Sequence, residues 1–342
     1  MNTAAVEAYL KRLELPSYRM NQLIAAIQKG AIQWAEVVGW PENLQQAFAK
    51  EVPFVTFNHA SVFVSKDGTK KALLTLHDGL QIETVVMEPK PNHVSVCVSC
   101  EVGCPMNCAF CATGKMGYKR SLTAEEITDQ ILFWKNYLNK QQATNKESQA
   151  ITSIVFMGMG EPFHNQKAVF DAINTLSTCY KFGHRHITVS TCGITQGILD
   201  FANQFPQANL AISLHAPTDE LRQTIMPIAR NVSLRELFNT LKQYARITKR
   251  QITFEYLLIN SVNDQIEHLK QLAQLVSCLP KQLVHINLIR YNQTYGKFSP
   301  TTPTKVKHIQ QWLVTHGISA SIRKNLGEDI NGACGQLATT NQ

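Results

Sequence analysis

From His93 onward the chain alternates short apolar, β-rich runs with segments of helical period, and no other feature restricts its fold as tightly. The runs are Val94 to Val98, Ile151 to Met157, His186 to Thr191, Asn209 to Leu214, Ile252 to Ile259 and Val284 to Ile289. Six strand–helix units in series predict an α/β fold, a parallel sheet covered by helices, with the loops at the strand C-termini as the place for chemistry. One covering helix opens with a capping box, Thr123 and Glu126, and continues through Ile127, Ile131, Trp134 and Leu138. A further strand, Ile318 to Arg323, leads into a glycine-containing tail.

The remaining organisation is punctuated by proline and glycine. Residues 1–52 read as a small helical module. Met1 to Leu15 carries Glu7, Lys11, Arg12 and Glu14 among its apolar positions, the pattern of a surface helix and not of a signal peptide. Tyr18 to Lys29 repeats Met20, Leu23, Ile24 and Ile27 at helical spacing before Gly30, and Pro41 opens a short helix that uses Leu44 and Phe48. Residues 53–92 form an extension with a hairpin, Ala72 to His77 and Leu80 to Met87 flanking Asp78-Gly79, a dipeptide that accepts a type I′ turn. Residues 93–342 make the main α/β domain, interrupted by a polar stretch, Lys140 to Gln149, read as a surface insertion. No apolar stretch approaches membrane-spanning length, so the chain is expected in the cytoplasm with no membrane contact. The formal charge of +8 points to a polyanionic partner without saying which.

Nine cysteines in a chain with no export signal point to metal or redox chemistry more than to a disulfide framework. Five of them, Cys97, Cys100, Cys104, Cys108 and Cys111, crowd together; Cys179 and Cys278 read as packing thiols. Cys104, Cys108 and Cys111 stand at CxxxCxxC spacing in a loop after the first strand of the series. Three thiolates suit a [4Fe-4S] cluster, each binding one iron and leaving the fourth open to a small molecule. A closed zinc site wants four ligands in paired knuckles, and the second knuckle is missing.

CxxxCxxC with Phe110 before the last cysteine resembles the radical S-adenosylmethionine (SAM) superfamily, whose partial (β/α)6 barrel accounts for the six units. The tail from Arg323 through Gly327, Asp329 and Ala333-Cys334-Gly335-Gln336-Leu337 closely resembles the C-terminal signature of the RlmN/Cfr RNA methyltransferases. The similarity extends over Val96-Cys97 and Ile82-Glu83 and, more weakly, back through the helical module, so it covers nearly the whole chain.

That resemblance implies a radical methyltransferase acting on a ring carbon of adenine in RNA, with the cluster on Cys104, Cys108 and Cys111 and two SAM molecules per turnover. An sp2 adenine carbon is too poor a nucleophile to take a methyl group from SAM directly. In the family, Cys334 is first methylated, a radical step joins that carbon to the ring, and Cys97 releases the product with a transient Cys97–Cys334 disulfide. Glu83 matches a proton acceptor, with Cys97 a rival for that step. Gly160 and Glu161 match the residues that hold the amino end of SAM; Ser190, Ser213, Leu214, His215 and Asn292 match its other contacts. Cys100 and Cys192 depart from the family pattern. The substrates implied are carbon 2 of a 23S rRNA adenosine in the peptidyl-transferase region and of the adenosine 3′ to the anticodon in tRNA. Gly160-Glu161-Pro162 and the tail favour this RlmN reading, whereas Leu288 to Asn292 leans toward Cfr, which methylates carbon 8 of the rRNA adenosine and gives antibiotic resistance. A non-catalytic iron–sulfur redox protein is the rival of another class, but it has no use for Cys97 and Cys334. Lys115, Lys119, Arg120, Lys181, Arg185, Arg246, Lys249 and Arg250 are candidates for phosphate contacts, with the N-terminal module as a second contact. A low-potential donor such as flavodoxin or ferredoxin and a monomeric state complete the expectations.

Overall fold

A computed structural model describes residues 1–145, 150–294 and 297–339. Its strands, in chain order, are β1 (Phe57–Val64), β2 (Lys70–Leu76), β3 (Gln81–Lys90), β4 (His93–Cys97), β5 (Glu101–Gly103), β6 (Tyr118–Ser121), β7 (Ile151–Phe156), β8 (Ile187–Thr191), β9 (Asn209–Ser213), β10 (Ile252–Leu258), β11 (Val284–Arg290) and β12 (Ala320–Ile322). Ten of them form one sheet in the order β1-β2-β3-β4-β7-β8-β9-β10-β11-β12, while β5 and β6 pair separately. From β4 to β12 every neighbour is parallel, and β1 to β4 are antiparallel. The sheet therefore keeps two edges, β1 and β12, as an incomplete barrel must.

Each parallel crossover needs a helix, and the helices Ala124–Asn145, Gln166–Thr178, Thr195–Gln204, Leu234–Thr248, Ile266–Val276 and Pro303–Thr315 supply six in turn. The first begins with the expected reciprocal cap: Glu126 N–H donates to Thr123 Oγ1 at 3.2 Å and Thr123 N–H to Glu126 Oε2 at 2.9 Å. Its Ile127, Ile131, Trp134 and Leu138 are buried. The helix runs on to Asn145, so the polar stretch read as an insertion starts as helix; residues 146–149 lie outside those described.

Helices Thr3–Arg12, Tyr18–Gln28 and Glu42–Glu51 gather at the N-terminus around an aromatic knot. Trp34 stacks on Trp40 at 5.4 Å, and Phe48 packs against both at 4.8 Å. Each such pair adds about 0.5–1.5 kcal/mol to its area burial. Asn136 and Asn139 of the long helix donate to the carbonyls of Gly30 and Lys29, both at 2.8 Å, and so satisfy acceptors left open at a helix C-terminus.

Three details differ from expectation. The hairpin turn is three residues long, His77 to Gly79, with Gly79 at φ +82° and no positive φ at Asp78, so it is not type I′; Leu76 closes it by exchanging bonds with Gly79 and Leu80. The extension gains β1, an outer strand whose half-exposed pattern hides its period. Cys278 is exposed, not packed. Among the described residues no helix is long and apolar enough to cross a membrane.

Candidate active site

Every parallel strand from β4 to β11 delivers its last or next-to-last residue to one cavity: Cys97, Phe156, Ser190, Ser213, Leu257 and Ile289. This is the strand C-terminal rim where loops of an α/β barrel converge. Cys104, Cys108 and Cys111 line the same cavity, as do Gly160, Glu161, His215 and Cys334.

The cysteine loop is shaped by short-range bonds. Cys104 N–H donates to Gly117 O at 3.1 Å, Ala109 N–H reaches Ile225 O at 2.8 Å, and Asn107 takes a left-handed φ of +47°. Burial pushes the Cys104 and Cys108 thiols well up, and for Cys108 the neighbouring Cys111, Cys104 and Glu161 charges push the same way. Such thiols ionise only beside a compensating cation. Among the described residues no three His, Cys, Asp or Glu side chains gather as a single ion requires. A cubane asks for something else, one thiolate on each of three irons, and three thiols on one cavity wall fit that demand.

Glu161 is 4% exposed, and its carboxylate accepts from Phe163 N–H at 3.1 Å and from Cys192 N–H at 2.8 Å. Burial dominates and raises its pKa, a cost that a bound ammonium would offset. Cys192 is a buried thiol whose backbone orients Glu161, and its carbonyl accepts from the buried Arg222 at 2.5 Å. The two glycines of this turn serve packing: a Cβ on Gly158 would meet Val98 O at 2.6 Å, and one on Gly160 would meet Glu101 Cβ at 2.6 Å and Cys100 Sγ at 2.9 Å.

His215 sits at φ +56° with Nδ1 accepting from Leu257 N–H at 3.1 Å, which leaves the ring proton on Nε2. Burial, with the Arg222 charge behind it, pushes its pKa down to about 3, so the ring stays neutral. Ser190 and Ser213 hydroxyls stand 3.5 Å apart.

The tail returns from β12 across the mouth of the barrel. Asp329 pairs with the Ser65 hydroxyl, Gly327 N–H donates to Asp67 at 2.8 Å, Gly335 O accepts from Ala112 N–H at 2.7 Å, and Leu337 O accepts from Thr113 Oγ1 at 2.6 Å. Cys334 is thereby held on the same cavity wall as Cys97. Both are free thiols, and burial, reinforced by the Cys334 charge, pushes Cys97 up to about 12.

Three sequence candidates are not on the described cavity wall. Leu214 is fully buried behind it. Asn292 gives its amide to Cys334 O at 3.0 Å. Glu83, 3% exposed and no surface carboxylate, binds Lys71 at 2.8 Å and accepts from Ala338 N–H at 2.8 Å. Of the basic candidates, Arg120 is occupied, by Glu126 at 2.8 Å and Asp78 at 2.7 Å. Sequence reasoning passed over Glu255 and Arg323, which line the cavity and pair at 3.6 Å. An acidic residue inside the apolar run Ile252 to Ile259 was the available signal, because a buried carboxylate needs a partner.

Comparisons with known proteins agree with this geometry. The Radical SAM superfamily matches residues 98–273. The chain is 42% identical to the dual-specificity RNA methyltransferase RlmN of Oleidesulfovibrio alaskensis over 80% of this chain and 76% of that protein. It is 38% identical to a probable RlmN of Thermosynechococcus vestitus, covering 98% and 96%, and 35% identical to the ribosomal RNA large subunit methyltransferase Cfr of Bacillus velezensis, covering 97% and 95%. The crystal structure of a radical SAM methyltransferase from Sphaerobacter thermophilus superposes with a TM-score of 0.92 at 36% identity, over 99% of this chain and 98% of that one. A chain with this sheet, this thiol-lined cavity and these relatives belongs to the RlmN/Cfr family of radical SAM RNA methyltransferases.

Proposed function

We propose that the enzyme methylates carbon 2 of an adenosine in the peptidyl-transferase region of 23S rRNA and of the adenosine 3′ to the anticodon in tRNA, carrying the methyl group on Cys334. The observation that supports this most is the shared cavity wall of Cys334, Cys97 and the three loop thiols. Cys104, Cys108 and Cys111 would hold a [4Fe-4S] cluster, which would supply the electron for reductive cleavage of SAM. The protein's part is to bind, orient and exclude water. Glu161 accepts from the SAM ammonium, with Gly160 turning the chain beside it. Ser190, Ser213 and neutral His215 offer hydroxyl and Nε2–H groups on the same rim.

Cys334 takes a methyl group from one SAM molecule, and the same carbon joins the adenine ring in a radical step started from a second. Cys97 then resolves the tethered nucleotide as a Cys97–Cys334 disulfide, which must be reduced before the next round. The role of proton acceptor for Glu83 draws least support, because its oxygens are taken by Lys71 and Ala338. The target base has to leave its stack to reach the cavity, so unpaired RNA is the better substrate.

Mass spectrometry of nucleosides from unmodified rRNA and tRNA fragments, after incubation with the reconstituted enzyme, tests this reading. 2-Methyladenosine in both is the expected result. 8-Methyladenosine would assign the Cfr chemistry instead, and SAM cleavage with no methylated RNA would overturn the methyltransferase reading of the tail.

A further inference from the structure

Arg323 leaves β12 directly into the cavity. Its N–H donates to Leu288 O at 2.8 Å, which fixes the backbone on the sheet, and Nη1 reaches Met157 Sδ at 3.2 Å and Glu255 Oε2 at 3.6 Å. Glu255 is itself clamped by Asn287 Nδ2, at 2.9 and 3.2 Å to its two oxygens. The ion pair is thus long for a charge-assisted bond, and the carboxylate has another donor. Arg323, Glu255, Cys97 and Cys334 all line the one cavity.

We propose that Arg323 is the counter-ion of the reduced thiol pair, favouring the thiolates of Cys334 and Cys97 from its seat beside Glu255. This inference rests on the reading of Cys334 as methyl carrier and Cys97 as its partner. Charges already lean this way: a thiolate at Cys334 is the strongest influence favouring the guanidinium's charged form, ahead of Glu255 and Cys97. Arg323 in turn opposes the burial that holds Cys97 protonated. Lys324 shares the wall but gives its ammonium to Pro89 O at 2.7 Å. Glu161, His215 and the three loop thiols also line the cavity, yet the charges that bear on Cys97 are those of Cys334 and Arg323.

The chemistry needs such a partner and then needs it to let go. When Cys334 takes a methyl group, a thiolate lone pair forms the new carbon–sulfur bond. The methyl–sulfur bond of the SAM sulfonium breaks, and its electron pair stays on the departing thioether. No proton is released, because the thiolate has already lost it. Negative charge at residue 334 vanishes in that step, and negative charge at Cys97 vanishes when its thiolate displaces the carbon from the Cys334 sulfur and the disulfide forms. Glu255 remains, so the guanidinium is never left buried without an anion. Arg323 is therefore a positioning residue, acting through the thiol sulfurs with which it shares the cavity.

The test is the pH profile of iodoacetamide alkylation at Cys334 in the reduced, anaerobically reconstituted enzyme, read by peptide mass spectrometry. Arg323→Gln should raise the midpoint by about 1–3 pH units and slow alkylation at neutral pH at least roughly tenfold. Arg323→Lys should shift it less, and Glu255→Gln should lower it. Should Arg323→Gln misfold with Glu255 stranded, the double variant Arg323→Gln/Glu255→Gln removes both charges and should still titrate higher than Glu255→Gln alone. A midpoint that does not move on loss of the guanidinium would make Arg323 a structural partner of Glu255 and overturn the proposal. Normal methylation by Cys334→Ala would sink the carrier reading separately, without altering this titration.

Discussion

The Asn292 side chain donates to the backbone carbonyl of Cys334 at 3.0 Å, tying the end of β11 to the tail residue that bears the thiol. Asn325 closes the other side of the same amide by donating to Asn292 Oδ1. One asparagine therefore holds two points of the returning tail. Asn292→Ala should loosen it, and two bonds at about 1 kcal/mol each correspond to a roughly 10- to 30-fold loss of methylation rate. Limited trypsin digestion after Arg323 and Lys324, run without SAM, should quicken in the variant. An unchanged digestion rate would show that the clamp does not hold the tail.

Cys334→Ala should abolish methylated product while the iron–sulfur absorption of the reconstituted protein stays normal, because no loop thiol is touched. Cys97→Ala should differ in kind. With the carbon transferred but no sulfur to displace it, RNA should remain covalently bound to protein and migrate with it on a denaturing gel. Free methylated RNA from Cys97→Ala would remove that thiol from the release step.

What could be read in the sequence was what short segments determine alone. The six β-rich runs appear as β4 and β7 to β11, and the Thr123–Glu126 box caps the helix it predicted, since both depend on neighbours in the chain. The three loop thiols that line the cavity were equally visible, their spacing being local to one loop. β1 was not, because an outer strand carrying Asn58, His59 and Ser61 shows no clean alternation, and β5 with β6 is too short for any period. The partners of Glu255 and Glu83 were hidden for another reason. Arg323 meets Glu255 only after β12 joins the sheet beside β11, and Lys71 meets Glu83 as a diagonal neighbour in the β2–β3 register.

The Lys71–Glu83 pair has both side chains almost fully buried, 3% and 5% exposed, so neither charge can fall back on water. Lys71→Met should destabilise the fold by roughly 3–5 kcal/mol by stranding the carboxylate, and adding Glu83→Gln should recover much of the loss. Urea unfolding midpoints of the two variants measure this. The pH dependence has a definite sign as well. Burial dominates and raises the folded pKa of Glu83 above its ordinary value, so across the window between those two values the native state holds the proton more firmly than the unfolded chain. The contribution of this group to stability is present below the ordinary glutamate value and is lost as pH rises through the raised folded one. Glu83→Gln should remove that component of the slope, and an unaltered slope would assign the dependence to other carboxylates.

Gly158 and Gly160 bound Met159, the residue whose carbonyl receives Cys100 N–H at 2.8 Å and so locks the turn after β7 against the strand end at β4. Adding one methyl group at Gly158 sets it 2.6 Å from Val98 O, a backbone atom that cannot rotate aside. At Gly160 the obstacles are Glu101 Cβ at 2.6 Å, an atom fixed to its own backbone, and Cys100 Sγ at 2.9 Å, and φ +102° strains any other residue as well. Gly158→Ala should therefore cost about 1–3 kcal/mol by forcing β4 and β7 apart. Because Cys97 ends β4 and Glu161 follows the turn, the same displacement should weaken SAM binding by isothermal titration more than it lowers the unfolding midpoint. If Gly158→Ala lowered only the midpoint and bound SAM as before, the turn would be a packing joint with no part in setting the distance between Glu161 and the rim.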